Sequence, residues 1–195
     1  MSGWRDLLVD LARETLRSPR KAAGRLVALD PPMEARWLAL LFVAVFAVFE
    51  TRLALFLMPI GAESGVFAIL GNPWLGVPAQ IASLVLIAAA MAWIGGLFGG
   101  GGRFADALLL VVWLEFLLTV AQAVQMVAML VLPPLGALLA IGVLAGFLWL
   151  MVQFTAALHG FQNLFKVFLG MVAGFVVIVT TLAMLFGALG IVTQV

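Results

Sequence analysis

Three ionisable residues interrupt stretches that are otherwise apolar: Glu50 and Arg52 in one run, and Glu115 in another. A charge within a membrane span is costly and marks a candidate ion or proton pathway. Glu115, Thr119 and Gln122 are spaced four and then three residues apart, which puts them on one helical face, and Gln125 continues it loosely. At about 1.5 Å per residue, Glu50 and Arg52 lie roughly 20 Å into their run. Thr119 and Gln122 fall at a similar depth, as do Thr180 and Thr181. The expected site is therefore an intramembrane polar cluster of Glu50, Arg52, Glu115, Thr119 and Gln122, with the chemistry of a proton or ion relay. The competing reading is structural. Arg52 snorkels outward or pairs with a carboxylate, and the Gln and Thr side chains bond between helices for about 0.6–2 kcal/mol each. No pair of related halves with broken helices is visible in the sequence, which favours the structural reading over a transporter.

Other chemistry is poorly supplied. With no cysteine there is no thiolate nucleophile, thiolate metal site or disulfide. A single histidine, His159, cannot build a zinc site, and the spacing suits a residue that caps the end of a helix. Gly99 to Gly102 is followed by no Gly-Lys-Ser/Thr and preceded by no strand, so it reads as a tight turn between helices and not as a phosphate loop. No catalytic, cofactor-binding or metal-binding set is expected, and no enzyme.

The elements that must position these residues follow from composition. The chain has 195 residues, 66% apolar and 10% charged, with a mean hydropathy of +1.26. Soluble domains carry about 45–50% apolar and roughly 25% charged residues. One aqueous core could not hide this much apolar surface, so the solvent must be lipid. That excludes a soluble enzyme, a nucleic-acid-binding domain and a disordered tail. Crossing the ~30 Å hydrocarbon layer takes about 20 mostly apolar residues. Five runs meet that length: 37–60, 77–98, 105–132, 135–158 and 167–190. None alternates with period two, so all are expected to be helices. The fold class is an all-α polytopic membrane protein.

Seven of the ten basic residues are Arg5, Arg13, Arg17, Arg20, Lys21, Arg25 and Arg36, and two others, Arg103 and Lys166, fall in alternate loops. The positive-inside rule then puts the N-terminus in the cytoplasm and the C-terminus outside, in a bacterial inner membrane. The loop 61–76 is apolar enough to lie in the outer interface or to re-enter the membrane.

Residues 1–36 form a separate, water-compatible region. It lacks the apolar core of a secretory signal. Trp4, Leu7, Leu8, Leu11 and Thr15 follow helical spacing, Ser18-Pro19 opens a second helix, and Asp30-Pro31-Pro32 ends it. Two amphipathic helices are expected to lie on the membrane surface. Arg13, Arg17, Arg20, Lys21 and Arg25 would then face anionic lipid, at about 1 kcal/mol each. Gly142-x-x-x-Gly146 and Gly170-x-x-x-Gly174 predict close packing of the fourth and fifth spans, or contact with a membrane-protein partner or a second copy.

One resemblance covers roughly residues 22–190. A Gly-rich turn leads into Arg103-Phe104-Ala105-Asp106 at the third span. Trp149 precedes His159-Gly160-Phe161, and Lys166 opens a Gly-rich fifth span. This pattern resembles the Yip family, the Ypt/Rab-interacting proteins, in its bacterial branch. It departs from the family in the third span, where Trp113 stands and no proline precedes Pro133. The resemblance implies a five-helix membrane protein without enzymatic activity. Eukaryotic members bind Rab-type GTPases and shape trafficking membranes, a role without a bacterial counterpart. The expectation is a membrane organiser or adaptor, with a small transporter or channel as the alternative.

Overall fold

Proline, glycine and asparagine punctuate the chain into helices. The computed structural model describes residues 2–58 and 72–188, which form seven helices and no strand. They are α1 (Ser2–Arg17), α2 (Pro19–Ala28), α3 (Met33–Leu57), α4 (Pro73–Leu97), α5 (Phe104–Val131), α6 (Pro133–His159) and α7 (Leu164–Ala188). Most of the 61–76 loop lies outside the described residues. α3 to α7 are each long and apolar enough to cross a membrane. The helices begin up to four residues before the expected spans, because capping extends them beyond the apolar run. The Asn72 side chain accepts from the Trp74 amide at 3.0 Å, with Pro73 in the first helical position. Gly160, at φ 72°, closes α6, and the Phe161 amide reaches back to the Ala156 carbonyl at 2.9 Å.

Only Leu132 separates α5 from α6. That sharp reversal depends on Gly136, where a Cβ would stand 2.5 Å from the Met129 Cα.

α5 is the axis of the bundle and touches α2, α3, α4 and α6. Between Asp106 and Glu115 it is buried almost all round, through Ala107, Leu108, Leu110, Val111, Val112 and Leu114. A helix apolar on every side must be covered on every side. Three spanning helices leave one flank, and the N-terminal helices fill it. Leu11, Ala23 and Leu26 share one core with Leu40, Leu108 and Phe154. The Trp113 indole N–H donates to the Thr15 hydroxyl at 3.0 Å, and that hydroxyl donates to the Leu11 carbonyl at 2.8 Å. The Leu11–Thr15 stripe expected to sit in lipid is therefore turned inward against the bundle. α7 is the least buried of the spans.

Candidate functional site

The first site is a polar layer where α3, α4 and α5 meet. Glu115 on α5 is buried, and the Gln80 side-chain amide from α4 donates to its Oε1 at 2.7 Å. Thr119, one turn along, is also buried and donates to the Glu115 backbone carbonyl at 2.9 Å. Glu50 on α3 is 9% exposed, and both of its carboxyl oxygens are buried without a hydrogen-bond partner. Its helix packs directly on α5, which carries Glu115.

Two expected members fall elsewhere. Arg52 is on the exposed side of α3, since two residues turn a helix by more than half a circle. Gln122 continues the Glu115–Thr119 stripe but is exposed, as are Val120 and Val124 on the same helix. Thr180 and Thr181 are exposed on α7. Gln80 was not anticipated. Its signal is a lone amide in an apolar run, and its partner is 35 residues away.

A second polar assembly closes the end of the bundle that carries α1 and α2. The buried Arg36 guanidinium donates to Asp106 Oδ1 at 3.1 Å, Asp30 Oδ1 at 2.8 Å and the Pro31 carbonyl at 2.9 Å. Asp30 takes a left-handed backbone, φ 38°, ahead of Pro31 and Pro32. Arg103 donates to both Asp106 oxygens, at 2.8 and 3.1 Å. That hydrogen bond, with the Asp106 charge, raises the Arg103 guanidinium above its ordinary pKa. Two arginines and two aspartates thus tie the α2–α3 turn to the start of α5. The group is charge-balanced and held by structural bonds.

His159 does not cap its own helix. Its ring crosses to α4 and the glycine turn, where the Gly102 amide donates to Nδ1 at 3.1 Å. Its Nε2 lies 2.8 Å from the Met91 carbonyl. An amide N–H can only donate and a carbonyl only accept, so Nε2 carries the proton. The ring fits because three neighbours lack side chains. A Cβ on Gly95 would stand 2.1 Å from Nε2, one on Gly100 2.1 Å from Nδ1, and one on Gly102 2.7 Å from Cε1. The glycine turn is a socket for His159.

The expected packing of α6 on α7 through glycine motifs is corrected in the same way. Gly142 and Gly146 face open space, whereas Gly174 lies against Ile94 of α4 and Gly170 against Phe98, just past the end of α4. Motif spacing gives the face of a helix, and the bundle decides what that face meets.

Of the basic residues expected on lipid, Arg13, Arg17, Lys21 and Arg25 are exposed. Arg13 lies near Asp10 at 3.9 Å and Arg25 bonds Glu14 at 3.1 Å. Arg20 is engaged otherwise: its guanidinium donates to the Phe161 carbonyl and ties α2 to the α6–α7 turn. Among the described residues, no group of three His, Cys, Asp or Glu side chains converges. A groove of about 370 Å³ between α6 and α7, lined by Trp149, Val152, Phe165 and Phe168 among others, presents only apolar surface.

A family model, the Yip1 domain, matches residues 13–191 and so takes in the polar layer, the ionic cluster and the histidine socket. No curated protein and no solved structure matches the chain.

Proposed function

The chain belongs to the Yip1 family, and we propose that it is a non-enzymatic membrane organiser or adaptor that holds a basic helical platform against anionic lipid. Its setting in this proposal is a bacterial inner membrane, with the N-terminus in the cytoplasm, as the distribution of Lys and Arg favours. One observation carries the reading. α1 and α2 are fixed to the bundle by Leu11, Thr15, Ala22, Ala23 and Leu26, while Arg13, Arg17, Lys21 and Arg25 are exposed. Leu8, Val9 and Leu16 form a further exposed apolar flank on α1. A helix with apolar and cationic surface side by side suits the headgroup boundary. Four cations near an anionic surface supply about 4 kcal/mol of attraction, at about 1 kcal/mol each. A protein partner or a second copy would find its closest approach at Gly142 and Gly146.

The test is a variant with Arg13, Arg17, Lys21 and Arg25 all changed to Gln, reconstituted in anionic and in neutral liposomes with a spin label at Leu16. Wild-type protein should bring the label into lipid only with anionic headgroups, and the variant should leave it in water. Equal lipid contact in both proteins would overturn the reading.

A second reading, a small transporter or channel, is favoured by the buried and unpartnered Glu50 carboxyl. It requires a solute or ion flux in liposomes that Glu50→Gln abolishes.

A further inference from the structure

The polar layer contains two buried carboxyl groups and one side-chain donor for them. Gln80 donates to Glu115, and among the described residues nothing donates to Glu50, whose two oxygens are both shut off from solvent. The helices packed against α3 bring no cation to this level. α4 carries no charged residue at all, and α5 carries only Asp106, engaged with Arg36 and Arg103, and Glu115. On α3 itself Arg52 lies two residues on, at the exposed side. Leaving a buried polar group without a partner costs several kcal/mol in an apolar medium, and an isolated charge far more. The arrangement is complete only when a cation joins Glu50.

We propose that Glu50 is a proton-binding site within the membrane, with Glu115 and Gln80 as the fixed polar wall beside it.

A proton fits better than a metal ion. A metal cation needs several oxygens at bonding distance. Here one Glu115 oxygen is occupied by Gln80, and the Thr119 hydroxyl donates to its own helix. A proton needs a single oxygen lone pair. In the step, a Glu50 carboxylate oxygen forms an O–H bond with a proton taken from hydronium, which leaves as water, and release reverses this. The new O–H gives Glu50 a donor where it had none. A small groove of about 170 Å³ lies between α3 and α5, lined by Phe42, Phe46, Phe116 and Thr119. It could admit a water molecule next to Thr119, and no bulky solute. This inference does not depend on the lipid-surface reading, which concerns the other end of α5.

The test is infrared difference spectroscopy of the reconstituted protein between mildly acidic and mildly alkaline buffer, with glutamate ¹³C-labelled. The expected result is a carboxylic-acid carbonyl band that shifts with the label and in heavy water, fades as the buffer becomes alkaline, and is absent from Glu50→Gln. It should persist in Glu115→Gln, which keeps an amide partner for Gln80. Should Glu50→Gln fail to fold, the labelled wild-type band and the Glu115→Gln spectrum decide the matter. No labelled acid band at any pH, or a band that Glu115→Gln removes, overturns the proposal. So does one displaced by sodium at constant pH, which would make this a metal-cation site.

Discussion

Gly95→Ala is a substitution for which local propensity and tertiary structure predict opposite signs. Within a helix, alanine is favoured over glycine by about 1 kcal/mol. Gly95 lies inside α4, so its replacement in isolation should stabilise. The new Cβ would stand 2.1 Å from His159 Nε2 and 2.5 Å from two ring carbons, too close for any real contact, so the ring must leave. Two hydrogen bonds go with it, from Gly102 and to Met91, at about 1 kcal/mol each. A half-buried Gly102 amide left unpaired adds roughly 1–3 kcal/mol. Set against the propensity gain, the net destabilisation is about 2–4 kcal/mol. Gly96→Ala is the internal control, since a Cβ there meets nothing within 4 Å. Thermal unfolding in one detergent should give a midpoint for Gly95→Ala below wild type and one for Gly96→Ala at or above it. Adding His159→Ala to Gly95→Ala removes the collision, so the double variant should be no less stable than His159→Ala alone. Equal midpoints for Gly95→Ala and Gly96→Ala would refute the socket.

Two further predictions use the same readout. Arg36→Gln strips Asp106 of its buried partner and should destabilise by about 3 kcal/mol, the lower end of the range for breaking a buried pair, because Arg103 stays bonded to Asp106. Arg103→Gln removes a mostly exposed guanidinium and should cost no more than about 1 kcal/mol; the reverse order would contradict the assignment of Arg36 as the buried centre. Gly136→Ala forces a Cβ against the Met129 backbone, which cannot rotate aside, and should lower the midpoint or abolish folding, whereas Gly142→Ala, facing open space, should leave a monomer unchanged.

The spans were legible because lipid permits so few alternatives. Length and apolar composition reveal five helices, and Ser18-Pro19 and Asp30-Pro31-Pro32 bracket α2 without tertiary information. Their ends were less legible, since Met33 and Pro73 extend helices beyond the apolar run. Within the polar layer, Glu50, Glu115 and Thr119 stand out as polar residues in apolar surroundings. Depth along a helix does not say which way a side chain turns, which is why Arg52 and Gln122 lie outside the layer. Gln80 was hidden because a neutral amide near the start of a span attracts no notice until its partner is known. The links that close the end of the bundle are longer still: Arg36 and Asp106 are 70 residues apart, and His159 and Met91 are 68 apart. No local pattern encodes such pairs. The glycines make the same point. A Cβ on either residue of Gly142-x-x-x-Gly146 would meet nothing within 4 Å, and the closest approaches, at Gly95, Gly100 and Gly136, lie outside any motif, although Gly174 does meet Ile94.

The central claim is that α1 and α2 form a platform docked on the bundle, with its cationic face on anionic lipid. Backbone hydrogen–deuterium exchange over residues 2–28, in nanodiscs of anionic and of neutral lipid, tests it most directly. Docking predicts that amides around Leu11, Thr15, Ala22 and Leu26 are protected in both lipids, with extra protection around Arg13, Arg17 and Lys21 in anionic discs only. Rapid exchange throughout the segment in both lipids would contradict the docked platform, and protection identical in the two lipids would contradict its role on the membrane surface.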